Sequence, residues 1–204
     1  MNLEALQAEF RARGFTYLGD TPAGITRMNR WLNQAYLDIC EMDDWPFLSR
    51  TWTAAAPWTA ETNYPLGTVE YVRDMTNLQV LNPIDVRDII QTADIAETGT
   101  PKYFWFDGDT VKVWPVATPS LEVRYWYIPA ELGAGESPLI PDRYQYAIIE
   151  FACSRAYIDT DNPTLAAICR QEGEKLVDQM RTRLLQRQIQ QAEVISTFGF
   201  SEDS

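Results

Sequence analysis

The stretch Pro101–Pro129, PKYFWFDGDTVKVWPVATPSLEVRYWYIP, decides how the rest of the chain reads. Two apolar runs flank Asp107-Gly108 at the spacing of a two-residue hairpin, in which positive φ is tolerated at the first turn position and favoured at the second. This pairs Lys102–Phe106 with Val111–Pro115. A loop holding Pro115 and Pro119 then leads into Leu121–Ile128, whose alternation places Leu121, Val123, Tyr125 and Tyr127 on one face and Glu122, Arg124 and Trp126 on the other. The stretch reads as three antiparallel strands in sequence order. It contains no nucleophile, metal cluster or phosphate loop, so it describes a scaffold.

Upstream, Leu3–Arg13 predicts a short helix ended by Gly14. Thr21-Pro22 supplies an N-cap and a first-turn proline, and Ile25, Met28, Leu32, Ala35, Ile39 and Met42 follow at helical spacing. That helix stops before Pro46. Arg50–Ala55 reads as an edge strand, Val69–Arg73 and Leu78–Leu81 as a hairpin, and Pro83–Ile90 as a short helix. Downstream, Pro141-Asp142 opens a helix bearing Tyr144, Ala147, Ile148, Phe151, Ala152 and Ala156. Asn162-Pro163 starts a long last helix with Leu165, Ile168, Cys169, Leu176, Val177, Met180 and Leu184 as its apolar residues. The expected fold class is therefore α+β, a helical bundle of about four helices with an inserted antiparallel β region. Its divisions are 1–48 and 138–196 for the bundle, 49–137 for the β region and 197–204 for a tail.

With 29 acidic against 17 basic residues, the formal charge of −12 opposes tight binding to nucleic acid, where neutralising phosphates supplies most of the affinity. Residues 49–137 carry half of that net charge. Histidine is absent, which removes Ser-His and Cys-His nucleophiles, His-ligated metals and the commonest general base. No glycine-rich nucleotide-binding motif occurs. No apolar run is long enough to span a membrane, and the first residues lack the pattern of a signal peptide. Cys40, Cys153 and Cys169 fall on or beside apolar helix faces, as core thiols in a reducing compartment do.

The carboxylate pairs Asp43/Asp44, Asp107/Asp109 and Asp159/Asp161 sit at turns or helix ends, where aspartate commonly caps backbone N–H groups. Trp52, Trp58, Trp105, Trp114 and Trp126 suit either a carbohydrate platform or core and subunit-interface packing. Arg181, Arg183 and Arg187 concentrate positive charge on the last helix, as a solvated face or as a dock for an acidic partner.

Several short runs, taken in order, resemble tailed-phage head-to-tail adaptor proteins. They are Arg30-Trp31-Leu32-Asn33-Gln34-Ala35-Tyr36, Ile39-Cys40, Trp45-Pro46-Phe47-Leu48, Pro101-Lys102-Tyr103, Asp107-Gly108-Asp109, Val113-Trp114-Pro115, Val123-Arg124-Tyr125-Trp126 and Leu139-Ile140-Pro141-Asp142-Arg143-Tyr144. The resemblance spans about residues 25–160. It implies a non-enzymatic structural virion protein without cofactor or metal, assembled in the host cytoplasm and placed at the head–tail junction. It further implies a ring, dodecameric like the portal it meets, that connects to downstream tail or neck proteins and continues the channel used in genome packaging and ejection. DNA would pass through without sequence-specific binding. Family adaptors reach the portal through their carboxyl-terminal segments, which assigns portal docking to Arg181, Arg183, Arg187, Phe198 and Phe200. Trp105, Trp114 and Trp126 are expected at the subunit interface. A second reading is a carbohydrate-binding or glycoside-hydrolysing module using surface tryptophans and a carboxylate pair.

Overall fold

A computed structural model of the chain describes residues 1–18, 21–59, 66–92 and 94–198, with the side chains of 66, 91–92 and 185–198 left out. By its contacts the chain divides into two compact units, Met1–Phe47 with Ala130–Ser204, and Leu48–Pro129.

The first unit is helical. Helix α1 (Leu3–Phe10) is capped by Asn2, whose side chain accepts from the Ala5 N–H at 3.0 Å, and it runs into a wider π turn over Arg11–Phe15. Helix α2 (Pro22–Glu41) begins as its sequence predicts, with Thr21 Oγ1 accepting from the Gly24 N–H at 3.1 Å and proline in the first turn. Its buried residues include Met28, Leu32, Ala35 and Ile39, and also Trp31, Tyr36 and Cys40, so a broad arc of the helix is covered. Two further helices of this unit, which follow the β segment in the chain, pack against each other and the first of them also against α2. They run over Tyr146–Asp159 and Pro163–Phe198. In the latter, the covered seam is Ala166, Gly173, Val177 and Met180, while Leu165 and Ile168 are 39% and 52% exposed. At Gly173 the two helices lie close. A Cβ built on Gly173 would stand 3.0 Å from the Phe151 ring.

Among its described residues the second unit holds seven strands and one α-helix. The strands are β1 (Ser49–Ala55), β2 (Trp58–Thr59), β3 (Leu66–Asp74), β4 (Gln79–Pro83), β5 (Tyr103–Asp107), β6 (Thr110–Trp114) and β7 (Ser120–Tyr127); helix α3 (Val86–Thr92) follows β4. They form one sheet in the order β1-β7-β3-β4-β5-β6-β2. Its two ends are β1 and β2, which are consecutive in the chain, and Trp58 Nε1 of β2 donates to the Trp52 carbonyl of β1 at 3.3 Å. The sheet thus curls until it is nearly closed. Inside, Trp58 packs edge-to-face on Tyr125 with centroids 5.5 Å apart, among Val72, Leu81, Phe104, Val111, Val113, Leu121 and Val123, all buried. Removing each such side chain from water contributes roughly 1.5–3 kcal/mol.

The expected bundle of about four helices with an inserted antiparallel region is therefore corrected. Among the described residues the fold is α+β with a nearly closed, mixed seven-strand sheet and five α-helices, α1–α5, where α4 is Tyr146–Asp159 and α5 is Pro163–Phe198. Three physical facts account for the difference. Strand β2 is two residues long and carries no period. β4 and β5 pair parallel, Asn82 with Tyr103 and Pro83 with Phe104, which hairpin chemistry does not announce. Strand β7 does have the expected faces, but it leaves β6 and pairs with β1 and β3 instead. Alternation fixes which side chains point inward and is silent about the neighbouring strand.

The β5–β6 hairpin keeps the expected register, Phe106 opposite Val111 and Tyr103 opposite Trp114. Its turn is displaced by one residue. Asp107 pairs with Thr110, so Gly108 and Asp109 form the two-residue loop, and Gly108 in its first position has φ +61°. The β3–β4 hairpin is anchored by Asp74, fully buried, whose carboxylate accepts from the N–H groups of Thr76 (2.8 Å) and Asn77 (3.2 Å) and from Asn77 Nδ2 (2.7 Å).

Candidate interaction surfaces

Alternation along β5 and β6 sends Phe104, Val111 and Val113 into the barrel and leaves Tyr103, Trp105, Lys112 and Trp114 half-buried on its outside. Tyr103 and Trp114 occupy paired positions with ring centroids 5.9 Å apart, and Trp105 sits opposite Lys112. Trp114 Nε1 donates to the Asp94 carbonyl at 3.1 Å, and Lys112 forms an ion pair with Asp107. Beside them, Trp105, Lys112, Ile95, Val116, Ala56 and Pro57 line a mostly apolar cleft of about 320 Å³. The structure thus brings Trp105 and Trp114 together on one face.

Trp126 is elsewhere. It lies on the outer face of β7 with Glu122 and Arg124, and β3 and β4 stand between β7 and β5 in the sheet. The polar groups of that face are engaged with one another. Arg124 Nε is 3.0 Å from Glu70 and 3.2 Å from Ser49 Oγ, and the Tyr71 hydroxyl donates to Glu122 at 3.0 Å. Burial, and then that hydrogen bond, push the Tyr71 hydroxyl above its ordinary pKa. Among the described residues, the indole N–H of Trp126 is buried without a partner.

On α5, Arg181 is tied inside the helical unit. Its Nε donates to Asp43 at 2.8 Å and its Nη1 to Asp178 at 2.6 Å. This bridge holds the segment after α2, where Trp45, fully buried, donates its indole N–H to the Ile39 carbonyl at 2.6 Å. Arg183 is exposed. Arg187 and Phe198 are on α5, but their side chains lie outside the described residues, as does the whole of Phe200. The apolar periodicity of the sequence missed that Ile158, Leu165 and Ile168 are exposed around the α4–α5 turn. The alternative seam of Ala166, Gly173, Val177 and Met180 at helical spacing was the available signal.

The carboxylate pairs are distributed over structural roles. Asp43 pairs with Arg181, Asp107 with Lys112, and Asp159 accepts the Trp31 indole N–H at 3.1 Å. Burial pushes the thiols of Cys40 and Cys153 up to about 12 and also raises Cys169, the reverse of the shift an attacking thiolate requires. No cluster of three metal-ligating side chains occurs among the described residues, and no described helix is long and apolar enough to cross a membrane.

No curated protein matches the chain. The family model described as SU10 adaptor protein matches residues 1–195, which takes in both the helical unit up to most of α5 and the whole β unit. A match over nearly all of the sequence, in keeping with the head-to-tail adaptor resemblance of its short runs, places this chain in the SU10 adaptor protein family.

Proposed function

We propose that the protein assembles into a ring beneath a phage portal, twelve copies matching the portal's own symmetry, and there joins head to tail and continues the DNA channel. The observation that carries this reading is the adaptor-family match over residues 1–195. The net charge of −12 supports it, since a wall that duplex must slide past is served by repelling phosphate. Portal protein on one side and tail or neck proteins on the other are its partners. The half-buried outer tryptophans Trp105 and Trp114 support head-to-tail subunit contacts through the β unit, with Trp126 contributing from β7. Portal docking is assigned to the carboxyl-terminal part of α5 and the residues after it, through Arg181, Arg183, Arg187, Phe198 and Phe200. Arg183 is the exposed cation among the described members of that set, and Arg181 both orients α5 and contributes charge.

Negative-stain imaging of the purified chain mixed with its portal tests the ring. Rotationally averaged particles with a density layer under the portal are the expected result, and portals that stay bare overturn the reading. Deleting Thr197–Ser204 is expected to leave the thermal unfolding of the chain unchanged and to weaken its binding to tail-less heads. Heads decorated as fully by the truncated chain as by the intact one remove those residues from the docking role.

A further inference from the structure

The barrel is incomplete along one line, between β3 and β5. Strand β3 pairs with β4 only at Val72, Arg73 and Asp74, although β3 begins at Leu66. Strand β5 meets β4 only at Tyr103 and Phe104, although it continues to Asp107. The reason is that β4 ends at Pro83, which has no N–H to give. After Ile84 donates to the Phe104 carbonyl at 2.9 Å, the chain turns away into α3 at Val86. Among the described residues, the Gly67–Tyr71 edge of β3 and the Trp105–Asp107 edge of β5 consequently have no strand between them. Both edges line one cleft of about 700 Å³.

The side chains there match an unfilled strand position. Phe106 shares the inward face of β5 with Phe104, with the two rings 5.6 Å apart. Phe104 is 5% exposed and Phe106 is 47% exposed. An inward-facing phenylalanine is left uncovered where the next strand is missing. Val80, at 57% exposed, borders the same cleft. The charged groups lining it are Glu70, which is paired with Arg124, and Asp109, with no lysine or arginine in the lining itself.

We propose that this cleft receives an extended segment of another polypeptide, apolar at alternate positions and carrying lysine or arginine between them, added as a strand between β3 and β5. Strand addition uses unpaired main-chain groups for affinity and alternate side-chain pockets for specificity. Here the inserted segment gains two edges at once, covers Phe106 with its inward-facing apolar residues, and on its other face meets Val80 and the Asp109 carboxylate. A second copy of this chain is the poorer complement, because its own net charge is −12. The inference is read from the β unit alone and stands or falls independently of the ring.

The test uses the full chain and a fluorescein-labelled decapeptide of alternating Lys and Val at low ionic strength, read by anisotropy and by amide hydrogen exchange. Saturable binding is expected, at least tenfold tighter than for the same peptide with Glu in place of Lys, with slowed exchange at residues 67–71 and 105–107. The exposed-site double variant Val80→Lys/Phe106→Lys is expected to keep its melting temperature and lose the peptide. Absence of saturable binding overturns the proposal. So does equal binding of a peptide with Pro at alternate positions, slow exchange of those two edges in the free chain, or protection that rises with protein concentration without peptide.

Discussion

Asn33 of α2 and the backbone of Leu132 exchange two hydrogen bonds, Nδ2 donating to the Leu132 carbonyl at 3.3 Å and Oδ1 accepting from its N–H at 2.9 Å. The amide side chain does for a single loop residue what a neighbouring strand does in a sheet. Both groups of the asparagine are buried, so the clasp fixes where the chain re-enters the helical unit. Replacing Asn33 by Leu removes one partner and strands two backbone groups away from water. The expected loss is about 2–6 kcal/mol, from the roughly 1–3 kcal/mol cost of each of the two unsatisfied buried groups. Urea denaturation measures it, and an unchanged midpoint would show that water reaches Leu132.

The displaced hairpin turn gives a second expectation. Because Gly108 has φ +61°, Gly108→Val is expected to lower stability by about 1 kcal/mol or more, a β-branched side chain being disfavoured there. Asp107 is a paired strand residue, so Asp107→Thr is expected to fall within about 0.5 kcal/mol of the parent. Reversal of that order in thermal melts would return the turn to Asp107-Gly108.

How far the sequence reaches is visible in these two places. The hairpin register, the inward face of β7 and the Thr21-Pro22 start of α2 were legible because each is fixed by neighbours within a few residues. The partner of β7, the parallel β4–β5 contact and the near closure through Trp58 depend on long-range pairing that local periodicity does not encode. For the interaction surfaces, the outward placement of Trp105 and Trp114 follows from alternation. The capture of Arg181 by Asp43 required knowing that α5 passes the segment after α2, and the exposure of Leu165 and Ile168 required knowing which face of α5 meets α4.

Asp74 supports a third expectation. Its fully buried carboxylate satisfies two backbone N–H groups and an amide at the β3–β4 turn. Asp74→Leu is expected to cost about 2–4 kcal/mol, since it removes three hydrogen bonds and leaves donors unpaired. Hydrogen exchange localised to residues 72–81 would accompany the loss, and a variant as stable as the parent would refute the anchoring role.

Alkaline conditions supply a fourth. Cys40 and Cys153 are raised by burial from 9.0 to about 12. Below pH 9 both thiols keep their protons folded or unfolded. Above it the unfolded chain releases protons that the native chain retains, so stability falls as pH rises, at up to about 1.4 kcal/mol per pH unit for each thiol until the folded values are reached. Urea midpoints at pH 8 and pH 10.5 are expected to differ less in a Cys40→Ala/Cys153→Ala double variant than in the parent. Equal differences would assign the alkaline loss to other groups.

The close contact of Gly173 with Phe151 has a mechanical meaning for α5. A helix of 36 residues is about 54 Å long at 1.5 Å per residue, and Gly173 stands near its first third. From this fulcrum to Phe198 the helix is a lever of roughly 37 Å. A methyl group at Gly173 that tilts α5 by about 5° would swing the far end by about 3 Å, the length of a hydrogen bond. One hydrogen atom in place of a side chain thus sets the direction of the α5 axis beyond Gly173.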